Sequence, residues 1–274
     1  MGQELVMHLL DDPAYDLVAW NRTPGKAMLL EAQGAVLAAT ASDAVRHADI
    51  VVTCLFGPEA VRQVVLDADL PWRTGALWIE VSTVGPAVAR DCDAWTTSRE
   101  VRYVQAPVLG SLGPARAGAL GVLIGGTDAA ARAATRRVSS HWADPERVVE
   151  YDEPGKAAAG KLLVNYGLAV GMQGLIEACR VGEAGGLTPQ EAVSLAGLPK
   201  TPLATIAGMK GAALLAGDYS DTQFSANLLA KDVNLMLATA DGQSLPALMA
   251  AATSLGLVCQ SGDGELDFSA MAGV

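Results

Sequence analysis

Along the first half of the chain, short apolar runs alternate with stretches of helical periodicity. Leu17-Val18-Ala19-Trp20 reads as a strand, Ala35 to Ala38 as a second, and Asp49 to Leu55, rich in β-branched side chains, as a third. Leu77 to Val81 is a fourth, and Arg102 to Val108 and Leu120 to Ile124 add two more. Helix starts fall between them. Thr23 is placed to cap, Pro24 suits a first helical position and Gly34 suits the residue past the end; Pro58 and Pro86 open further helices. Strands spaced by helices in this way predict βαβ units in a doubly wound, parallel α/β sheet.

Near residue 150 the pattern changes. Gly155 to about Glu183 reads as one long helix, and beyond it Ala and Leu recur at helical spacing with no convincing strand. Thr188-Pro189-Gln190-Glu191 is a capping box with proline at the first helical position. The expected organisation is an α/β domain over residues 1–152 and an all-α domain over 153–274, the latter including an interdomain helix at 155–183.

Composition narrows the partners. Of 274 residues, 51% are hydrophobic and 18% charged, enough apolar material for a real core. The net charge of -11 argues against nucleic acid and anionic membranes, so an anionic ligand needs a local basic pocket. No signal peptide or apolar run of membrane length is legible, which predicts a soluble protein. Cys54, Cys92, Cys179 and Cys259 form no CxxC, and the three histidines form no HExxH, so no metal site is expected. Reduced, buried thiols suit a cytoplasmic protein.

The opening is unusual for such a sheet. Gln3 to Leu10 reads as an amphipathic helix with only Met1-Gly2 before it. A dinucleotide-binding domain expects a strand and a GxGxxG turn there, and only Gly2 stands where the last glycine of that turn belongs. In the order 3-2-1-4-5-6 that strand is central. Its four or five large apolar side chains would contribute roughly 10 kcal/mol, comparable with the stability of a whole domain. Two expectations follow: a sequence that starts about ten residues inside its domain, or a natural non-binder.

Several segments carry candidate chemistry. Asn21-Arg22-Thr23 follows a strand at the place where an NAD site usually holds an acid; Arg22 can instead pair with a 2′-phosphate, though an ordinary polar turn reads the same. Ser82 and Thr83 end a strand and enter a helix, where ligands of doubly wound sheets lie; a capped helix start is the plainer reading. Gly110-Ser111 can offer backbone N–H groups to a carboxylate, or be a simple turn. Lys161 and Asn165 are one turn apart on the long helix, on a face otherwise small or apolar. A lysine there can give a proton to a forming alkoxide, with Asn165 orienting substrate or lysine; a surface lysine is the alternative. Phe224 and Lys231-Asp232 interrupt a later apolar helical region, where Lys231 can reach a ligand or make a surface ion pair.

Taken in order, these segments resemble the β-hydroxyacid dehydrogenase family from Gly2 to about Ala270. The matching stretches are NRT at 21–23, ADIVVTCL at 48–55, VSTVGP at 81–86, APVLGS at 106–111, GKAAAGKLLVN at 155–165, FSANLLAKD at 224–232 and GDGELDFSA at 262–270. The resemblance implies a Rossmann-like domain, its first strand missing, joined by a long helix to an all-α C-terminal domain and assembled as a homodimer or homotetramer. It places the catalytic lysine on Lys161 and its partner on Asn165, with Ser82, Gly110 and Ser111 binding a small carboxylated substrate. Gly2, Asn21, Arg22, Thr23, Leu55, Thr83, Phe224 and Lys231 fall at the cofactor. APVLGS and NRT look most like the glyoxylate/succinic semialdehyde reductases, which use NADP(H). Leu109 stands where much of the family has a substrate-binding serine. The alternatives are an imine reductase of the same architecture, against which Lys161 speaks, and a non-catalytic dimeric scaffold.

Overall fold

A computed structural model describes residues 1–10 and 12–274. They form two compact units, Met1–Lys161 and Leu162–Val274.

The first unit opens with helix α1 (Gly2–Leu10), whose Leu5 and Leu9 are buried. Strands β1 (Val18–Ala19) and β2 (Val36–Leu37) pair in parallel as a sheet of two. Between them the expected helix breaks into a 3₁₀ turn (Pro24–Lys26) and a short α2 (Met28–Ala32). The two segments meet at Ala27, whose N–H closes the 3₁₀ turn on the Pro24 carbonyl. Thr23 makes no side-chain cap, whereas Gly34, at φ +106°, ends α2 as expected, with Ala35 N–H reaching back to the Leu30 carbonyl. Helix α3 (Ala41–Val45) is capped by Thr40.

The main sheet follows. Strands β3 (Ile50–Thr53), β4 (Leu77–Glu80) and β5 (Arg102–Gln105) are parallel and in register, with helices α4 (Pro58–Val61) and α5 (Pro86–Thr97) in the crossovers. Among the described residues nothing pairs with β3 on the side away from β4, nor with β1 on the side away from β2. This leaves the two flanks of a 3-2-1-4-5-6 order without a strand at its centre.

The parallel pattern then stops. Pro107 interrupts the expected run from Arg102 to Val108, so a two-residue β6 (Val108–Leu109) follows β5. The short helix α6 (Leu112–Arg116) leads to β7 (Leu120–Gly125), which runs antiparallel to both β5 and β6. After α7 (Ala129–Ser139), β8 (Ala143–Tyr151) adds in parallel to β7. Sequence reading had missed β8. Its charged, largely exposed residues carry no apolar alternation, so no period of two marks it as a strand.

Period-two alternation sorts the sheet's side chains. Leu77, Ile79, Val81 and Val104 face the core shared with Leu5 and Leu9 of α1. Trp78 and Tyr103 face the opposite core, with Val61 of α4 and Ala89 and Cys92 of α5. Glu80 and Gln105, the last residues of their strands, are in the same alternation as Trp78 and Tyr103 and are wholly buried.

Helix α8 (Pro154–Ala184) begins in the first unit and continues into the second. Small residues bring its start close to the sheet. A Cβ on Gly125 would lie 2.7 Å from Ala157 Cβ, and one on Gly160 would lie 3.0 Å from Leu123 Cδ1. Contrary to expectation, α8 is long and apolar enough to cross a membrane on length and composition. Its Ala169, Met172, Leu175 and Ile176 are nonetheless buried in the helical core of the second unit.

That core is completed by α9 (Pro189–Ala196), α10 (Ala204–Ala216), α11 (Ala226–Ala240), α12 (Pro246–Gln260) and a 3₁₀ segment (Phe268–Gly273). The capping box forms as expected: Thr188 Oγ1 accepts from Glu191 N–H, and the Glu191 carboxylate accepts from Thr188 N–H. A buried ion pair ties α10 to the C-terminal segment. Lys210 Nζ donates to Asp267 Oδ2 at 2.8 Å, and both side chains are under a tenth exposed. The same oxygen accepts from the Gln223 and Phe224 N–H groups, and Asp267 Oδ1 accepts from Ser269. Burial alone would raise the Asp267 pKa, but the bonds from Lys210 and Ser269 outweigh it and hold the carboxyl below its ordinary value.

Removing the cation strands a buried carboxylate, so Lys210→Met is expected to cost about 3–5 kcal/mol. Urea denaturation monitored by far-UV circular dichroism measures this; a cost below about 1 kcal/mol, the scale of an exposed pair, would show that the ammonium is dispensable.

Candidate cofactor and substrate site

In doubly wound sheets, ligands gather beyond the carboxyl ends of the parallel strands. Here those ends are polar and buried. Thr53, Glu80 and Gln105 stand side by side in the register of β3, β4 and β5. Thr53 Oγ1 donates to Glu80 Oε2 at 2.7 Å and accepts from Trp78 Nε1–H at 2.7 Å. Glu80 Oε1 accepts from Ser82 N–H at 2.6 Å. Ser82 Oγ accepts from Leu55 N–H at 2.7 Å, and its hydroxyl also bonds the Glu80 carboxylate. Gln105 Nε2 donates to the Glu80 and Ser82 carbonyls, and its Oε1 accepts from the Tyr103 hydroxyl at 2.6 Å. One network therefore sets the turns that follow β3 and β4. Those turns carry Leu55, Ser82 and Thr83, of which Ser82 is buried while Leu55 and Thr83 are half-buried.

The first turn of α1 lies beside them. A Cβ on Gly2 would be 3.3 Å from Cys54 Cβ, so a larger residue would crowd the end of β3. Gln3 donates to the Lys26 carbonyl, tying α1 to the turn after β1. Asn21, Arg22 and Thr23 are exposed on that turn, and Asn21 Nδ2 donates to the Thr23 carbonyl at 2.7 Å. Gly110 follows β6 at φ +135°, and a Cβ there would come within 2.8 Å of Leu120 Cδ2. Glycine alone holds this turn without strain, which presents Gly110 and leaves Ser111 half-buried.

Lys161 lies on α8, 9% exposed, so it is not the surface lysine that composition alone would favour. In the second unit, Asn165 is 1% exposed and donates through Nδ2 to Asp232 Oδ2 at 2.6 Å. Lys231 Nζ is 2.7 Å from the other oxygen, Asp232 Oδ1. The structure thus gathers Asn165 and Lys231 on one buried carboxylate. In the sequence Asp232 stands out only as the neighbour of Lys231 in a polar interruption of an apolar region, with no role of its own; the structure makes it the acceptor for both Asn165 and Lys231. Phe224 is half-buried before α11, edge-on to Phe268 at 6.2 Å between ring centroids.

The thiols are all free. Cys92 and Cys179 are buried, whereas Cys54 and Cys259 are only partly so, short of the full burial expected. Burial raises the pKa of every one, Cys92 to about 12.

Residues 1–144 match the family model for the NAD-binding domain of 6-phosphogluconate dehydrogenase. Residues 155–274 match that for the NAD-binding domain of NADP-dependent 3-hydroxyisobutyrate dehydrogenase. An NAD-dependent L-serine dehydrogenase of Pseudomonas aeruginosa is 32% identical over 98% of this chain and 92% of its own length. The chain spans 43% of the cytokine-like nuclear factor N-PAC of Anopheles gambiae, at 26% identity. Among solved structures, Psf3 in complex with NADP+ and 2-OPP superposes with a TM-score of 0.87 at 25% identity, covering 100% of this chain and 96% of that one. The 3-hydroxyisobutyrate dehydrogenase of Mycobacterium tuberculosis with L-serine gives 0.86 at 25% identity, covering 100% and 94%.

Burial pushes the Glu80 pKa from its ordinary 4.5 up to about 7, against the bonds from Ser82 and Thr53. A raised acid keeps its proton longer in the folded chain, so its stabilising contribution is full below about pH 4.5 and is lost as pH rises through 7. That gap corresponds to about 3 kcal/mol. Urea titrations at pH 5 and pH 8 should show the wild type losing about 2–3 kcal/mol more than Glu80→Gln over this range; parallel losses in the two proteins would mean that Glu80 stays ionised throughout.

Proposed function

The chain belongs to the β-hydroxyacid dehydrogenase family of nicotinamide-dependent oxidoreductases, and on that premise we propose that it reduces the carbonyl of a small carboxylated aldehyde or keto acid, or oxidises the matching β-hydroxyacid, with NADP(H). The observation that carries this reading is the burial of Lys161 on α8 one turn before Asn165.

The residues fit such a cofactor. The first turn of α1 has N–H groups suited to a pyrophosphate, and Gly2 leaves room beside Cys54 where a Cβ would crowd. Arg22, exposed after β1, suits a 2′-phosphate, with Asn21 and Thr23 shaping its turn. Leu55 and Thr83 follow β3 and β4 on the nicotinamide side, and the family resemblance adds Phe224 and Lys231 as cofactor residues. NADP(H), when bound, supplies or takes the hydride.

The chain's own groups do the rest. Lys161 Nζ gives a proton to the carbonyl oxygen during reduction and takes it back in the reverse direction. Asn165, fixed by Asp232, orients the reactants. Gly110 and Ser111 offer N–H groups to the substrate carboxylate. Ser82 shapes the turn after β4. Leu109 brings no hydroxyl to this wall, which favours substrates whose carboxylate is held by backbone.

Lys161→Ala should lower kcat by about 10²–10⁴-fold with little change in NADPH affinity. Steady-state assays with succinic semialdehyde and glyoxylate, beside fluorescence titration of NADPH, test it, and normal turnover would end the role. Arg22→Ala should weaken NADPH by about tenfold or more while leaving NADH unchanged. Equal losses for both cofactors would mean that Arg22 does not meet the 2′-phosphate.

A further inference from the structure

We propose that Glu80 is a positioning residue: it holds the turns after β3 and β4 in the shape that receives cofactor and substrate, and it does so through Ser82. The inference rests on the reductase reading above and concerns how that site is kept in shape.

Each polar group of Ser82 has a partner inside the protein. Its N–H goes to Glu80 Oε1. Its carbonyl accepts from Gln105 Nε2 at 3.0 Å. Its Oγ accepts from Leu55 N–H, and its hydroxyl bonds the Glu80 carboxylate. With its N–H and its hydroxyl proton both turned to Glu80 and 3% of its surface exposed, Ser82 has no donor left for a substrate carboxylate. Its hydroxyl instead ties the backbone at Leu55 to the backbone at Ser82. Two turns from different strands thereby keep one spacing, and Glu80 is the group on which both depend.

The other Glu80 oxygen completes the case. Oε2 takes the Thr53 hydroxyl, whose own oxygen takes the Trp78 indole N–H. Thr53 immediately precedes the Cys54-Leu55 turn. A carboxylate that accepts from the last residue of β3 and from the first turn after β4 fixes the offset between the two strand ends. An acid in an otherwise apolar strand, Leu77-Trp78-Ile79-Glu80-Val81, is otherwise costly. An aliphatic residue would pack against Trp78 but leave the Ser82 N–H without an acceptor. Glutamine keeps an oxygen for that N–H while its amide donates toward Thr53 Oγ1.

The full chain and its Glu80→Leu, Glu80→Gln, Ser82→Ala and double Glu80→Leu/Ser82→Ala variants are compared by NADPH titration and by KM and kcat with succinic semialdehyde. Glu80→Leu is expected to raise the NADPH KM at least tenfold and by a larger factor than kcat falls. Glu80→Gln should stay within threefold of wild type. Ser82→Ala should raise the NADPH KM about fivefold alone and add little to Glu80→Leu, because both cut the same link. Folded Glu80→Leu with wild-type NADPH affinity, or strictly multiplicative effects in the double variant, would overturn the role. If Glu80→Leu does not fold, Ser82→Ala decides: an unchanged NADPH KM with a raised substrate KM would return its hydroxyl to the substrate. Wild-type chain that binds neither NADPH nor NADH would instead sink the reductase reading, and this role with it.

Discussion

A carboxyl taken wholly out of water must find hydrogen-bond partners for both oxygens, and at the end of β4 that requirement shapes the surroundings of the site. Glu80 has no exposed surface. Thr53, Ser82 and, through the Glu80 and Ser82 carbonyls, Gln105 close around it. Because a partly satisfied polar cluster costs more than an apolar one, these contacts are not separately adjustable. The spacing of three strand ends, the course of two turns and the inward direction of the Ser82 hydroxyl are one solution. The second unit repeats the principle on Asp232, which gathers Asn165 and Lys231, and on Asp267, which gathers Lys210, Ser269 and the backbone before α11.

Much of this was legible along the chain where one physical signal dominates. Strands β3 and β4 announce themselves by short, near-continuous apolar runs, α8 by its length and small residues, and α9 by a capping box that forms bond for bond. The legible part ends where signals compete. Pro107 divides what reads as one strand, and what reads as one helix divides at Ala27. The antiparallel β7 carries six buried residues, which marks a strand but not its direction. β8 is polar enough to pass for a loop.

For the site the division is similar. Residue type and spacing singled out Lys161, Asn165 and Lys231, and a helix turn of separation suffices to place the first two on a common face. Glu80 as a residue and Asp232 as an acceptor were not legible because their work is done by hydrogen bonds between segments distant in sequence, 27 residues for Thr53 to Glu80 and 67 for Asn165 to Asp232. Ser82 was legible as a position and not as an orientation. A hydroxyl at a strand end can point to ligand or to neighbour, and only the three-strand register decides.

The raised pKa values of the cysteines have a practical side. Nucleophilic attack on an alkylating reagent needs the thiolate, and burial keeps Cys54, Cys92, Cys179 and Cys259 protonated at neutral pH. A cysteine introduced at an exposed position such as Gly25 or Val181 would therefore outcompete all four native thiols for a maleimide. The natural chain can carry a single fluorophore or spin label without first being stripped of its own cysteines.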